Sequence, residues 1–112
     1  MKIKLIAVIF TLLAQSAIAG NDHVPTDRKI TKLLTYSDYA VIYFTPGFAN
    51  TQGCTNTTQT RVVIDMSGGQ NKEIYSAALA AATARYDVGF GIGGCYTGPL
   101  NYPTIYRFET QY

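Results

Sequence analysis

The chain predicts a mostly β domain with a single helix, in the order β-β-β-α-β-β. Three observations point there. Five short segments are rich in β-branched and aromatic residues and are bounded by turn formers. One segment, 72–86, carries six alanines and neither glycine nor proline. Two cysteines, Cys54 and Cys95, sit far apart in a chain that reads as exported.

The expectation of export comes from the first 19 residues. Lys2 and Lys4 precede an uncharged apolar run, Leu5 to Leu13, and Ala17-Ile18-Ala19 supplies small residues at the positions a signal peptidase reads. The alternative for this run is a buried N-terminal strand or helix. It is too short to span a bilayer, which takes roughly 20 apolar residues. No later stretch is long and apolar enough, so no membrane span is expected. Removing 19 of the 112 residues leaves a domain of 93, secreted or periplasmic.

Removing the leader also changes the charge. Of nine Lys and Arg, two are Lys2 and Lys4, so seven basic residues remain against seven acidic ones. A chain of zero net charge with no basic stripe lacks the electrostatic footprint of a nucleic-acid binder. It has no general attraction to anionic membranes either.

Residues 20–28 are polar, contain Pro25 and read as a mobile arm, so the folded domain is expected at 29–112. Lys29 to Tyr36 is the first strand. Ser37-Asp38 is a turn signal. Tyr39 to Thr45, YAVIYFT, is a strand apolar on both faces, ended by Pro46-Gly47. Residues 48–59 form a polar loop that holds Cys54 and an Asn56-Thr57-Thr58 sequon. Thr60 to Met66 is the third strand, followed by a turn at 67–70.

Asn71 is the expected N-cap, with Glu73 where the helix dipole favours an acid. The helix runs from Lys72 to Tyr86. Ile74, Ala77, Ala78, Ala81 and Arg85 share one face at helical spacing. The opposite face, Ser76, Ala80 and Thr83, is small and nearly uncharged. It is a candidate surface for a second copy of the chain, or else an exposed alanine-rich face. Asp87 to Gly94 alternates Val88, Phe90 and Ile92 with glycines, a strand whose bare face permits close approach of another backbone or of the helix. Residues 95–103 are a loop, and Thr104 to Thr110 is the last strand.

One helix between the third and fourth of five strands is the element order of the OB-fold, a partly open Greek-key barrel. A helix-covered α+β sandwich is the alternative.

The segments GCTNTTQTRVVIDM, KEIYSAALAAATARYDVGFGIGGC and PTIYRF, together with the Tyr-Ser-x-x-Leu core of the helix, resemble a group of small exported bacterial proteins. These look like the B subunits of subtilase-cytotoxin-type toxins. The resemblance spans about residues 30–108. It implies an OB-fold pentamer with helices around a central pore, binding sialylated glycans. None of that family's sugar-contacting residues is carried over to a position here.

The chemistry expected is binding rather than catalysis, with no cofactor and no metal. Cys54 and Cys95 are expected to form a disulfide; the rival reading, a metal or redox pair, lacks a nearby histidine and a C-x-x-C spacing. Histidine occurs once, at His23 in the expected arm, a poor place for a catalytic base. Asp38, Asp65, Glu73, Asp87 and Glu109 show no pairing signal. Ser37 and Ser76 lack a G-x-S-x-G setting. The glycines at 89–94 open no helix, which excludes a dinucleotide loop. Sugar sites favour aromatic platforms beside short polar groups, and Tyr36, Ser37, Asp38, Tyr39, Tyr96 and Tyr102 offer them. Two functions are therefore expected: a glycan-binding module, or a protein-interaction or inhibitor module.

Overall fold

The structure is a computed structural model that describes residues 22–97 and 100–111. The expected leader lies outside the described residues. Five strands, β1 (Asp22–Thr35), β2 (Tyr39–Thr45), β3 (Arg61–Asp65), β4 (Asp87–Cys95) and β5 (Pro103–Gln111), close into a barrel in the order β1-β2-β3-β5-β4. Among the described residues one α-helix, α1 (Lys72–Ala84), falls between β3 and β4, preceded by a short 3-10 turn at Ser67–Gly69. This is the OB-fold arrangement, and closure of the sheet removes the open sandwich as a reading. All neighbours are antiparallel except β3 and β5, which meet in parallel at Val63 and Thr104.

Alternation along β2 and β3 builds the core. Ala40, Ile42 and Phe44 pack inward with Val62 and Ile64. They meet Phe90 of β4, whose ring stacks on Phe44 at 4.2 Å and receives Phe48 edge-on at 5.1 Å. Into this core α1 inserts Ala78 and Ala81, both fully buried. Small side chains there bring the helix close to the sheet it covers.

Two ends of the helix differ from expectation. Asn71 does not cap with its side chain. It sits in the left-handed region at φ 60° and donates its Nδ2 to the Asp65 carbonyl at 2.7 Å, tying the helix start to the end of β3. At the other end the helix stops at Ala84 instead of Tyr86. Arg85 turns left-handed, and the Tyr86 N–H reaches back to the Ala81 carbonyl at 3.1 Å. That closing turn is one glycine usually makes. It also removes Arg85 from the helix face it was expected to share with Ile74, Ala77, Ala78 and Ala81.

The larger correction is at the N-terminal end. From Asp22 onward the segment expected as an arm is strand, paired with β4 through Asp22–Ile92, His23–Gly91 and Val24–Phe90. Glycine on the outer face of β4 is the reason. A Cβ on Gly89 would lie 2.8 Å from the Val24 carbonyl oxygen and 2.7 Å from Thr26 Oγ1. The bare face expected from the sequence therefore receives a backbone, and that backbone belongs to the segment read as free. Val24 is buried in the barrel.

Cys54 and Cys95 are joined, with Cα atoms 5.6 Å apart. The bond ties the β2–β3 loop to the end of β4. Beside it the Gly94 N–H donates to Gln52 Oε1 at 2.8 Å. Gln52 is a buried polar side chain whose carboxamide thus serves the backbone.

Candidate functional site

β2 and β3 have a second buried face, on the outside of the barrel. Their outward residues pair as Tyr39–Asp65, Val41–Val63 and Tyr43–Arg61. Val41 and Val63 are buried by Leu34 of β1 and by Leu100 and Tyr102 of the β4–β5 loop, which folds over them. This is why YAVIYFT is apolar on both faces. A barrel strand needs its inner face apolar, and the loop imposes the same demand on the outer face.

The covered pair separates two differently charged ends. At one end Tyr36, Tyr39 and Tyr96 come together. The rings of Tyr36 and Tyr39 stack with centroids 4.5 Å apart and planes 17° apart, and Tyr96 lies against Tyr39 at 5.2 Å and 38°. The hairpin places the first two. The Tyr36 N–H donates to the Tyr39 carbonyl at 2.8 Å, and the Met66 N–H anchors the turn through the Asp38 carbonyl at 2.8 Å. Tyr96 follows the disulfide. Its N–H donates to the Tyr102 carbonyl at 2.8 Å, and Asn101 Nδ2 donates to its carbonyl at 3.2 Å. Asn101 Oδ1 accepts from the N–H and hydroxyl of Thr55, which holds the loop to the neighbouring one.

Two carboxylates accompany this trio. Asp38 lies in the turn between Tyr36 and Tyr39, and Asp65 lies across the ladder from Tyr39. Asp65 Oδ1 accepts from the Ser67 hydroxyl at 2.6 Å and the Ser67 N–H at 3.0 Å. Those bonds hold its carboxyl below the usual carboxylate range. The Tyr96 hydroxyl is pushed the other way, first by burial and then by the negative charges of Asp65 and Asp38.

At the opposite end the Arg61 guanidinium lies 4.5 Å from the Tyr43 ring centre, and Lys32 Nζ lies 5.3 Å from it. Arg61 also donates to the Tyr102 hydroxyl at 2.9 Å.

Of the six residues expected to touch a ligand, the structure brings Tyr36, Tyr39 and Tyr96 into one cluster and sets Ser37 and Asp38 exposed beside it. Tyr102 is apart. It is 6% exposed and covers the valines, so its role in the fold is that of a cover. Asp65, Tyr43 and Arg61 were not singled out as site residues. Tyr43 shares the parity of Tyr39 along β2, which was the available signal; the partners across the ladder depend on register. Ser76, Ala80 and Thr83 are exposed on α1, and with them Leu79, a large apolar side chain 47% exposed. The Thr83 hydroxyl donates to the Leu79 carbonyl at 2.8 Å.

His23 is in a strand and not in an arm, and its Nδ1 lies 3.3 Å from Glu109 Oε1, beside Arg107. The Thr26 hydroxyl donates to the other Glu109 oxygen at 3.1 Å. These side chains meet across Gly89 and Gly91 of β4. A groove of about 600 Å³ runs elsewhere, between β1 and the end of α1, lined by Lys29, Ile30, Lys32, Leu33, Ala82 and Arg85 among others. Among the described residues no group of three His, Cys, Asp or Glu could hold a metal ion, and no helix is long and apolar enough to cross a membrane.

No protein-family model, curated protein or solved structure matches the chain.

Proposed function

We propose that this is an exported, non-catalytic binding module that holds a glycan on the Tyr36–Tyr39–Tyr96 cluster. One observation carries the reading. Two loops at the same end of the barrel deliver three tyrosines into one stacked surface, and the outermost ring, Tyr36, is left 47% exposed. A sugar ring presents C–H groups to an aromatic face and hydroxyls to polar neighbours. Tyr36 offers the face, while Asp38, Asp65 and Ser37 offer acceptors or a hydroxyl. The β2–β3 face and its flanking loops are also where OB-folds take oligosaccharides and oligonucleotides. Oligonucleotides suit this end poorly, because the two carboxylates beside the tyrosines would repel a phosphate backbone.

The test is a glycan array probed with the labelled domain, followed by NMR titration with the best ligand. Binding should shift the backbone resonances of Tyr36–Tyr39 and Tyr96. Absence of binding across the array, or shifts centred away from these residues, would defeat the proposal.

A second reading, contact with another protein chain, is favoured by Leu79. A large apolar side chain exposed among Ser76, Ala80 and Thr83 makes one helix face fit for burial. The occupant proposed is a further copy of the chain, as in the pentamers the sequence resembles. Size-exclusion chromatography with light scattering at micromolar concentration decides it, and a monomer removes the idea.

A further inference from the structure

We infer that the tyrosine site selects uncharged and amine-bearing sugars and disfavours acidic ones. This rests on the glycan reading above and goes beyond it, because it assigns the charge of the ligand and departs from the sialylated glycans that the sequence resemblance implies.

Tyr39 and Tyr43 point the same way on β2, and four residues of strand separate them by about 13 Å. Tyr39 faces Asp65, whereas Tyr43 faces Arg61. The outer face is therefore polarised, acidic at the exposed tyrosines and basic at the far end. Between the ends, Val41 and Val63 lie beneath Tyr102 and Leu100. The cations thus sit beyond a covered stretch, and they are engaged there: Arg61 with the Tyr102 hydroxyl and the Tyr43 ring, Lys32 with the same ring.

Among the described residues no ion pair engages the acids near the tyrosines. Among the described residues, the ion pairs are His23 and Arg107 with Glu109, Arg28 with Asp27, and Lys29 with Asp87. None involves Asp38 or Asp65. Lys72, which starts the helix after Asp65, forms no ion pair with either carboxylate. Asp38 lies in the turn between Tyr36 and Tyr39 and Asp65 lies across the ladder from Tyr39, so both carboxylates border the platform. A sialic or uronic acid seated on Tyr36 brings a third negative charge into their field. A neutral sugar instead donates hydroxyls to the carboxylates, and a protonated amino sugar adds charge attraction and a cation–π contact with the exposed ring.

The experiment compares three disaccharide- to trisaccharide-sized probes on the mature, disulfide-bonded domain: lactose, sialyllactose and the glucosamine disaccharide. Affinities are measured by calorimetry at low and high salt. Lactose and the glucosamine disaccharide are expected to bind about three- to tenfold tighter than sialyllactose, the charge of each carboxylate acting at roughly 5–10 Å through a solvated surface. The gap should narrow at high salt. Asp38→Asn should reduce it, with the fold checked by circular dichroism. Sialyllactose binding as tightly as lactose or tighter, with resonances shifting at Tyr36 and Tyr39, would overturn the inference and leave the glycan reading standing. If no probe and no array glycan binds, the glycan reading falls and this inference with it.

Discussion

The Arg61 guanidinium donates to the Tyr102 hydroxyl at 2.9 Å and at the same time lies over the Tyr43 ring. One side chain of β3 thereby fastens the β4–β5 loop to the outside of the barrel. Arg61 Nε is buried without a hydrogen-bond partner, so the guanidinium is already under-satisfied. Tyr102→Phe keeps the ring over Val41 and Val63 but deletes the acceptor. A loss of about 1–2 kcal/mol in urea unfolding is expected, together with faster amide exchange in the loop. An unchanged midpoint would show that the bond contributes nothing.

The disulfide joins residues 41 positions apart. By the chain-entropy relation its loss costs about 4 kcal/mol, an upper value for measured bonds. The double variant Cys54→Ser/Cys95→Ser should therefore unfold at clearly lower denaturant. Because Tyr96 is held directly after Cys95, the same variant should lose glycan affinity even where it remains folded. Equal stability in the presence and absence of reductant would contradict this.

Gly89→Ala tests the corrected N-terminal strand. The new methyl group would lie 2.8 Å from the Val24 carbonyl oxygen and 2.9 Å from the Thr26 nitrogen, both backbone atoms. Such overpacking costs typically ~1–3 kcal/mol. Amides of 22–28 should exchange faster than in the parent domain. If that segment were a free arm, the substitution would be nearly silent.

Acid stability follows from Asp65. Its folded pKa is depressed, chiefly by the Ser67 hydroxyl and then the Ser67 N–H. A depressed carboxyl pKa stabilises the fold above the unfolded value, about 3.9, and the contribution disappears as pH falls through the folded value. Ser67→Ala should raise the Asp65 pKa towards its ordinary value, read by carboxyl-carbon NMR. The loss of stability between about pH 5 and 2 should then be shallower than in the parent. An Asp65 titration indifferent to this substitution would refute the assignment.

Much of the barrel was legible in the sequence, for local reasons. β2 begins and ends at Tyr39 and Thr45 as expected, because Ser37-Asp38 and Pro46-Gly47 bracket a β-branched and aromatic run. The cysteine pair needed only the export reading. The strand at Asp22–Arg28 was hidden because its own residues are polar and include Pro25. What orders it is the glycine row of β4, some 65 residues later, and no local pattern reports that. The candidate site divides the same way. Tyr36 and Tyr39 flank a visible turn and meet as neighbours in the chain. Asp65 opposite Tyr39, and Arg61 opposite Tyr43, follow from a register that the sequence alone leaves open. Tyr102 looked like a loop aromatic free to bind, and only the fold of that loop back over Val41 and Val63 makes it a cover.

The central claim is that Tyr36 is the exposed platform for a sugar ring, and its direct test is the affinity of lactose for the parent domain and for Tyr36→Ala. Tyr36 stacks on Tyr39 but is 47% exposed in the turn and outside the barrel core, so its removal should leave the fold intact by circular dichroism. The account predicts that the parent binds and that Tyr36→Ala binds about five- to tenfold more weakly, the loss of one aromatic contact. Equal affinity in the two proteins would contradict it.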